Sequence, residues 1–225
     1  MVVLSGGMDS TVCATLAVKE HGPESVAALH VDYGQRTETR ERLAFDSICD
    51  RLGIVRRLVV RNQALGQIGG SALTDSQIEV PDAGPEIGNH VPVTYVPFRN
   101  AHFLAVATSW AEVIGAETIY IGAVQQDSSG YPDCRPSYYE AFNQVIREGT
   151  KEGNIRIVTP LIALKKAEIV QLGLELAAPF DLTWSCYSRE DTACGTCESC
   201  VLRLRAFTAV RSVDPIPYLP QAARR

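Results

Sequence analysis

A glycine turn near the start of the chain constrains its fold more than any other stretch. Val2-Val3-Leu4 is a short apolar run, Ser5-Gly6-Gly7-Met8-Asp9-Ser10-Thr11 follows at once, and Val12, Cys13, Leu16 and Ala17 recur at helical spacing. That order predicts a strand, a tight turn and a helix. Glycine tolerates positive φ, so Gly6 and Gly7 let successive N–H groups face one concavity. The unpaired N–H groups and the dipole of the following helix reinforce it. With the hydroxyls of Ser5, Ser10 and Thr11 as further donors, a phosphate or pyrophosphate fits the turn. The plainer alternative is an ordinary βα turn in which Asp9 or Ser10 caps the helix. The string lacks the lysine and the spacing of a Walker loop.

Periodicity extends the pattern downstream. Ser25 to Tyr33 reads as a buried strand, and Val55 to Val60 as another. Between them, Arg36 to Gly53 reads as a helix with Phe45, Ile48, Cys49 and Leu52 on one face. Val91 to Val96, Thr118 to Gly122 and Ile155 to Val158 read as further strands, with helices after Arg99-Asn100 and from about Lys165. Strands alternating with helices imply right-handed crossovers. The fold class expected is therefore α/β, an open parallel sheet of about five strands with helices on both faces.

Ligands of such sheets bind beyond the carboxyl ends of the strands. Asp32, Tyr33 and Arg99 share that rim with the glycine turn. His30 reads as a core histidine and Asn100 as a helix N-cap. Residues 62–91 are rich in Gly, Ser, Asp and Pro without clear period, which suggests a lid or a partner-contacting loop.

Gln125 to Pro136 gathers Asp127, Tyr131, Asp133, Cys134 and Arg135. A carboxylate there can accept the paired N–H donors of a guanine-like ring, and Tyr131 can stack on that ring. Turn chemistry explains the same composition equally well. Cys134 reads as a packed thiol, since no histidine lies near it in sequence. Lys165 and Lys166 open a helix, where cations oppose the dipole. A bound polyanion would reverse that cost, making Lys166 a phosphate candidate; a solvated surface lysine is the alternative.

Of the seven cysteines, Cys13, Cys49 and Cys134 are scattered, whereas Cys186, Cys194, Cys197 and Cys200 follow C-x7-C-x2-C-x2-C. This clustering argues for a metal and against a disulfide framework. Four thiolates complete a closed, structural tetrahedral zinc site; an iron–sulfur cluster is the rival. The organisation expected is an α/β nucleotide-binding domain over residues 1–180 and a zinc-binding segment, 181–225, packed on the same core. A net charge of −5 without a basic run argues against direct nucleic-acid binding. No apolar stretch is long enough to span a membrane, and no signal segment is evident, so a cytoplasmic location is expected.

SGGMDS resembles the PP-loop of the ATP pyrophosphatases, which cleave ATP between its α and β phosphates. More of the chain is similar to the 7-cyano-7-deazaguanine synthase family. The resemblance lies in SGGMDST, VDYGQR (Val31–Arg36), GGSALTD (Gly69–Asp75), RNAHFL (Arg99–Leu104), SGYPDCRP (Ser129–Pro136), KAEIVQLGLEL (Lys166–Leu176), LTWSCY and CGTCESC. Phe98 and Lys165 depart from it, standing where a small residue and a capping Ser or Thr are expected.

What the resemblance implies is an ATP-dependent ligase of queuosine biosynthesis, a tRNA-modification pathway. It converts 7-carboxy-7-deazaguanine and ammonia to the nitrile through an acyl adenylate and an amide. ATP with Mg²⁺ would lie on Leu4, Ser5, Gly6, Gly7, Met8, Asp9, Ser10, Thr11, Asp32, Tyr33 and Lys166. Asp9, Lys166 and Arg99 would be catalytic. Asp127, Tyr131, Asp133 and Arg135 would hold the substrate, with the base among the first three. Free ammonia is the implied nitrogen source, and a homodimer is compatible with the family. Two other readings stand beside this one. A different PP-loop adenylating enzyme, acting on tRNA or a small carboxylate, would usually carry a basic surface and extra domains. A non-enzymatic zinc module leaves the first 180 residues unexplained.

Overall fold

A computed structural model describes residues 1–84, 91–125 and 130–220. Its strands are β1 (Val2–Val3), β2 (Ala27–Asp32), β3 (Arg56–Arg61), β4 (Thr118–Ile121) and β5 (Arg156–Val158). They form one sheet in the order β3-β2-β1-β4-β5, and every pairing is parallel. The helices are α1 (Met8–His21), α2 (Glu38–Leu52), α3 (Gln63–Ile68), α4 (Arg99–Ile114), α5 (Pro136–Gly149), α6 (Lys166–Glu175) and α7 (Glu198–Ala209).

Strand alternation divides the apolar residues between two cores. Val2, Ala28 and Tyr120 face one, with Val12 of α1, Phe45 of α2, Ile169 of α6 and Phe207 of α7. Val3, Leu29 and Ile119 face the other, with Leu104 of α4 and Tyr139 and Ile146 of α5. Helices thus cover both faces, as the periodicity implies. Cys186, Cys197 and Cys200 sit in the first core beside β1.

The chain runs from β1 to β2 and β3 on one side, then crosses to β4 and β5 on the other. The reversal falls at β1, and the crevice beyond its carboxyl end is the binding place of such sheets. The glycine turn leaves β1 at that point.

Two expectations need correcting. Val91 to Val96 is not a strand: it forms turns, with Val91 and Val93 half exposed. Pro92 and Pro97 each remove a backbone donor, which disfavours a sheet ladder. Asn100 does not cap α4. The cap position is Phe98, in the left-handed region at φ 58°, and Asn100 is buried one residue inside the helix start.

Residues 62–91 hold more structure than their composition suggests. They contain α3, and the Arg36 guanidinium then grips the carbonyls of Ala72, Asp75 and Ile78 at 2.6, 2.8 and 2.7 Å. Ala83 N–H donates to Thr196 O at 2.8 Å, within the cysteine segment. Residues 85–90 of this stretch lie outside the described residues.

Candidate active site

The turn is locked by its own hydroxyls. Thr11 Oγ1 and Ser10 Oγ donate to Gly7 O at 2.8 and 3.0 Å, and Ser5 Oγ lies 3.1 Å from Ser10 Oγ. Gly7 is the N-cap of α1, and no side chain caps the helix, so neither Asp9 nor Ser10 plays the ordinary capping role. The first N–H groups of α1 are left for a ligand. Gly6 has φ 86°, and a Cβ there would meet Glu41 O at 2.8 Å and Ala44 Cβ at 2.9 Å. Gly122, just after β4, is equally committed: a Cβ would meet Asp9 C and Ser10 N at 2.8 Å.

Lys166 opens α6, and its Nζ reaches Asp9 Oδ2 at 2.5 Å. This pair joins the starts of two helices. Asp9 Oδ1 is buried and has no partner among the described residues. Lys165 occupies the N-cap of α6, where its backbone N–H donates to Glu168 Oε2 at 2.7 Å. That bond ties the cap from the helix side, in place of the Ser or Thr side chain.

A cavity of about 270 Å³ begins at this turn and extends under the strand ends. One end is lined by Ser5, Gly7, Asp9, Ser10 and Lys166, the other by Tyr33, Arg99, Phe103, Tyr131 and Tyr187. Arg99 lies 5.6 Å from the Tyr33 and Phe103 ring centres and 6.0 Å from that of Tyr131. Its Nη1 donates to Tyr33 Oη at 3.2 Å. Burial, relieved in part by Arg99, pushes the Tyr33 hydroxyl up to about 12. Cys134 lines the same cavity, and burial with the nearby Asp133 charge pushes its thiol up to about 11. It is a packed thiol.

Other expected site residues face elsewhere. Asp32 does not line the cavity; its Oδ1 is 3.0 Å from His30 Nε2, while His30 Nδ1 lies 3.0 Å from Leu4 O. Burial opposes ionisation of Asp32, but His30 outweighs it and holds the carboxyl below its usual range. His30 is thus a core histidine. Asp133 is buried, with Oδ2 accepting Asn100 N–H at 3.0 Å and Oδ1 without a partner among the described residues. Arg135 is exposed at the start of α5 and is not brought to the cavity. Asp127 lies outside the described residues.

Two charged residues were missed from the sequence. Glu41 lines the cavity, accepting from Thr37 Oγ1 at 2.8 Å and Gln35 Nε2 at 3.1 Å, and burial pushes its carboxyl up. Arg203 is fully buried on α7 and makes paired bonds to Asp214 at 2.7 and 2.8 Å. It also donates to Thr183 Oγ1 at 2.6 Å and Ser185 Oγ at 3.2 Å, the latter at the cavity wall. Both residues stand at inward helical spacing, three and four before apolar neighbours: Ala44 and Phe45 for Glu41, Ala206 and Phe207 for Arg203. A charge on an apolar stripe was the available signal.

The sulfurs of Cys186, Cys194, Cys197 and Cys200 lie within 4.8 Å of one another. Backbone N–H groups of Ser188 and Cys194 point at Cys186 Sγ at 3.5 and 3.4 Å, and that of Cys197 at Cys194 Sγ at 3.3 Å. Such donors stabilise thiolates, so the donor set suits a metal ion.

A parallel sheet with a glycine turn at its reversal and a cluster of four cysteines that could hold a metal define an α/β protein of the open-sheet class. Comparison with known families narrows the class. Residues 1–211 match the family model described as queuosine biosynthesis protein QueC, and the chain belongs to that family. A 7-cyano-7-deazaguanine synthase from Koribacter versatilis is 69% identical over 99% of this chain and 94% of its own length. Proteins of the same name from Acidobacterium capsulatum and Chlorobaculum parvum are 62% and 57% identical, each over 97% of this chain and 95% of its own length. Among solved structures, the U34-tRNA thiolase NcsA from Methanococcus maripaludis, with its 4Fe–4S cluster, matches at TM-score 0.51 and 15% identity. That match covers 93% of this chain and 63% of the thiolase, and establishes the shared fold.

Proposed function

We propose that this chain is an ATP-dependent ligase converting 7-carboxy-7-deazaguanine and ammonia to 7-cyano-7-deazaguanine. Its family and the name shared by its relatives support this. The observation that carries it is a single cavity with a phosphate-type turn at one end and an arginine in aromatic walls at the other. A triphosphate and a planar acid can therefore meet inside it.

A carboxylate is a poor electrophile because oxide is its leaving group. Attack of a substrate carboxylate oxygen on the α-phosphorus breaks the bond to the β-bridging oxygen and releases pyrophosphate. The open N–H groups of the turn, the α1 dipole and Lys166 stabilise the charge that builds on the leaving group. Asp9 Oδ1 is the free oxygen able to hold Mg²⁺, which would supply further charge neutralisation. Ammonia displaces AMP to give the amide. Activation of the amide oxygen by a second ATP, then loss of AMP and a proton, leaves the nitrile. Tyr131, at the cavity wall, is a candidate base.

Zinc in the thiolate knuckle has a structural role in this reading. Four sulfurs this close to one another suit a single tetrahedral ion. Incubation of purified protein with the acid, ATP, Mg²⁺ and ammonium should yield the nitrile. A protein that is metal-replete and folded yet yields none overturns the proposal.

A further inference from the structure

We infer that Arg99 selects the substrate's carboxylate, and so serves the activation of the acid far more than that of the amide. The inference rests on the reaction proposed above. A guanidinium carries five donors in a planar fork. In Arg99 one of them is matched by Tyr33 Oη, and three aromatic rings lie within 6.0 Å of the half-buried group. Among the described residues no carboxylate stands within ion-pair distance of it. Asp133 is directed at the Asn100 N–H, and Glu41 is held by Thr37 and Gln35. A half-buried cation among aromatic rings, with no carboxylate beside it, favours the arrival of an anion. The fork matches a planar carboxylate in two-point geometry.

The other cations that line the cavity are already engaged: Arg36 holds the carbonyls of Ala72, Asp75 and Ile78, and Arg203 holds Asp214. Lys166 is already paired with Asp9 beside the glycine turn. The phosphate end and the carboxylate end therefore have separate cations. In the first activation the acid offers Arg99 a full negative charge on two oxygens. In the second, the neutral amide offers a single oxygen, and the fork gains little from it. Arg99 is thus a specificity-determining residue for one of two chemically similar steps.

The test compares wild type, Arg99→Met and Arg99→Lys, each given the deazaguanine acid or the corresponding primary amide, with ATP and Mg²⁺. Arg99→Met should lose roughly 100-fold in kcat/KM on the acid and less than about 5-fold on the amide. The KM for ATP should be unchanged. Arg99→Lys keeps the charge without the fork and should show an intermediate, still acid-selective loss. Should Arg99→Met fail to fold, Arg99→Lys alone decides the matter. Equal losses on acid and amide overturn the inference, placing Arg99 on the phosphates or the ring while the parent reaction stands. A wild type that converts neither compound overturns the parent reaction and this inference with it.

Discussion

Trp184 donates its backbone N–H to Gly6 O at 2.9 Å, joining the segment that enters the cysteine knuckle to the glycine turn. Its ring is buried, lies 4.7 Å beneath the Arg40 guanidinium, and donates Nε1–H to Arg189 O at 2.9 Å. Cys186 follows two residues later. The knuckle therefore braces the turn from outside the sheet. Chelation of the metal, or Cys197→Ser, should lower the melting temperature by several degrees and raise the KM for ATP. Calorimetry and steady-state kinetics check both; unchanged values would separate the knuckle from the turn.

In the proposed reaction Lys166 and Asp9 stand where charge builds on the leaving pyrophosphate. Lys166→Met and Asp9→Asn should each lower kcat by about 100-fold or more, with a melting temperature within a few degrees of wild type. Normal turnover in both variants would remove the pair from the chemistry.

The Arg203–Asp214 pair is buried, and both partners make further bonds, including Tyr218 Oη–H to Asp214 Oδ2 at 2.7 Å. Removing one charge strands the other. Arg203→Met should cost about 3–5 kcal/mol, read from denaturant midpoints at constant slope. A loss below about 1 kcal/mol would show that the site relaxes or hydrates easily.

Glu41 gives a pH signature with a definite sign. Burial raises its folded-state pKa above the unfolded value, so the folded protein holds that proton more tightly. Glu41's contribution to stability is then full at pH below the ordinary glutamate range. It declines as pH rises through the raised folded pKa. Glu41→Gln should flatten that decline and raise the melting temperature at neutral pH relative to its effect at pH 4. Parallel melting curves for the two proteins across pH would contradict this.

Gly122 bears on the site through space alone. A methyl group there would press on the backbone of Asp9 and Ser10. Gly122→Ala should impair kcat/KM for ATP by tenfold or so, since small misplacements of catalytic groups are costly. Unimpaired kinetics would show that the turn can shift without loss.

Much of this architecture was legible because it is local. The apolar run, two glycines and helical spacing that follow Met1 specify β1, the turn and α1 almost independently of the remainder. Four closely spaced cysteines announced the sulfur cluster in the same way. Val91 to Val96 misled because its apolar content resembles a strand while Pro92 and Pro97 deny it donors. Glu41 and Arg203 were hidden because their surroundings are set by segments outside their own helices. Asp214 lies beyond the end of α7, and Glu41 gains its meaning when α2 packs beside the turn. Asp133 could not be placed from sequence either, since its orientation depends on Asn100 from a different helix.

The most direct measurement follows the oxygen atoms. Acid labelled with oxygen-18 in both carboxylate positions, turned over with unlabelled ATP and ammonium, should give two AMP for each nitrile, each AMP carrying one label. Unlabelled AMP, or ADP in its place, would contradict attack of the substrate oxygen on the α-phosphorus at the glycine turn.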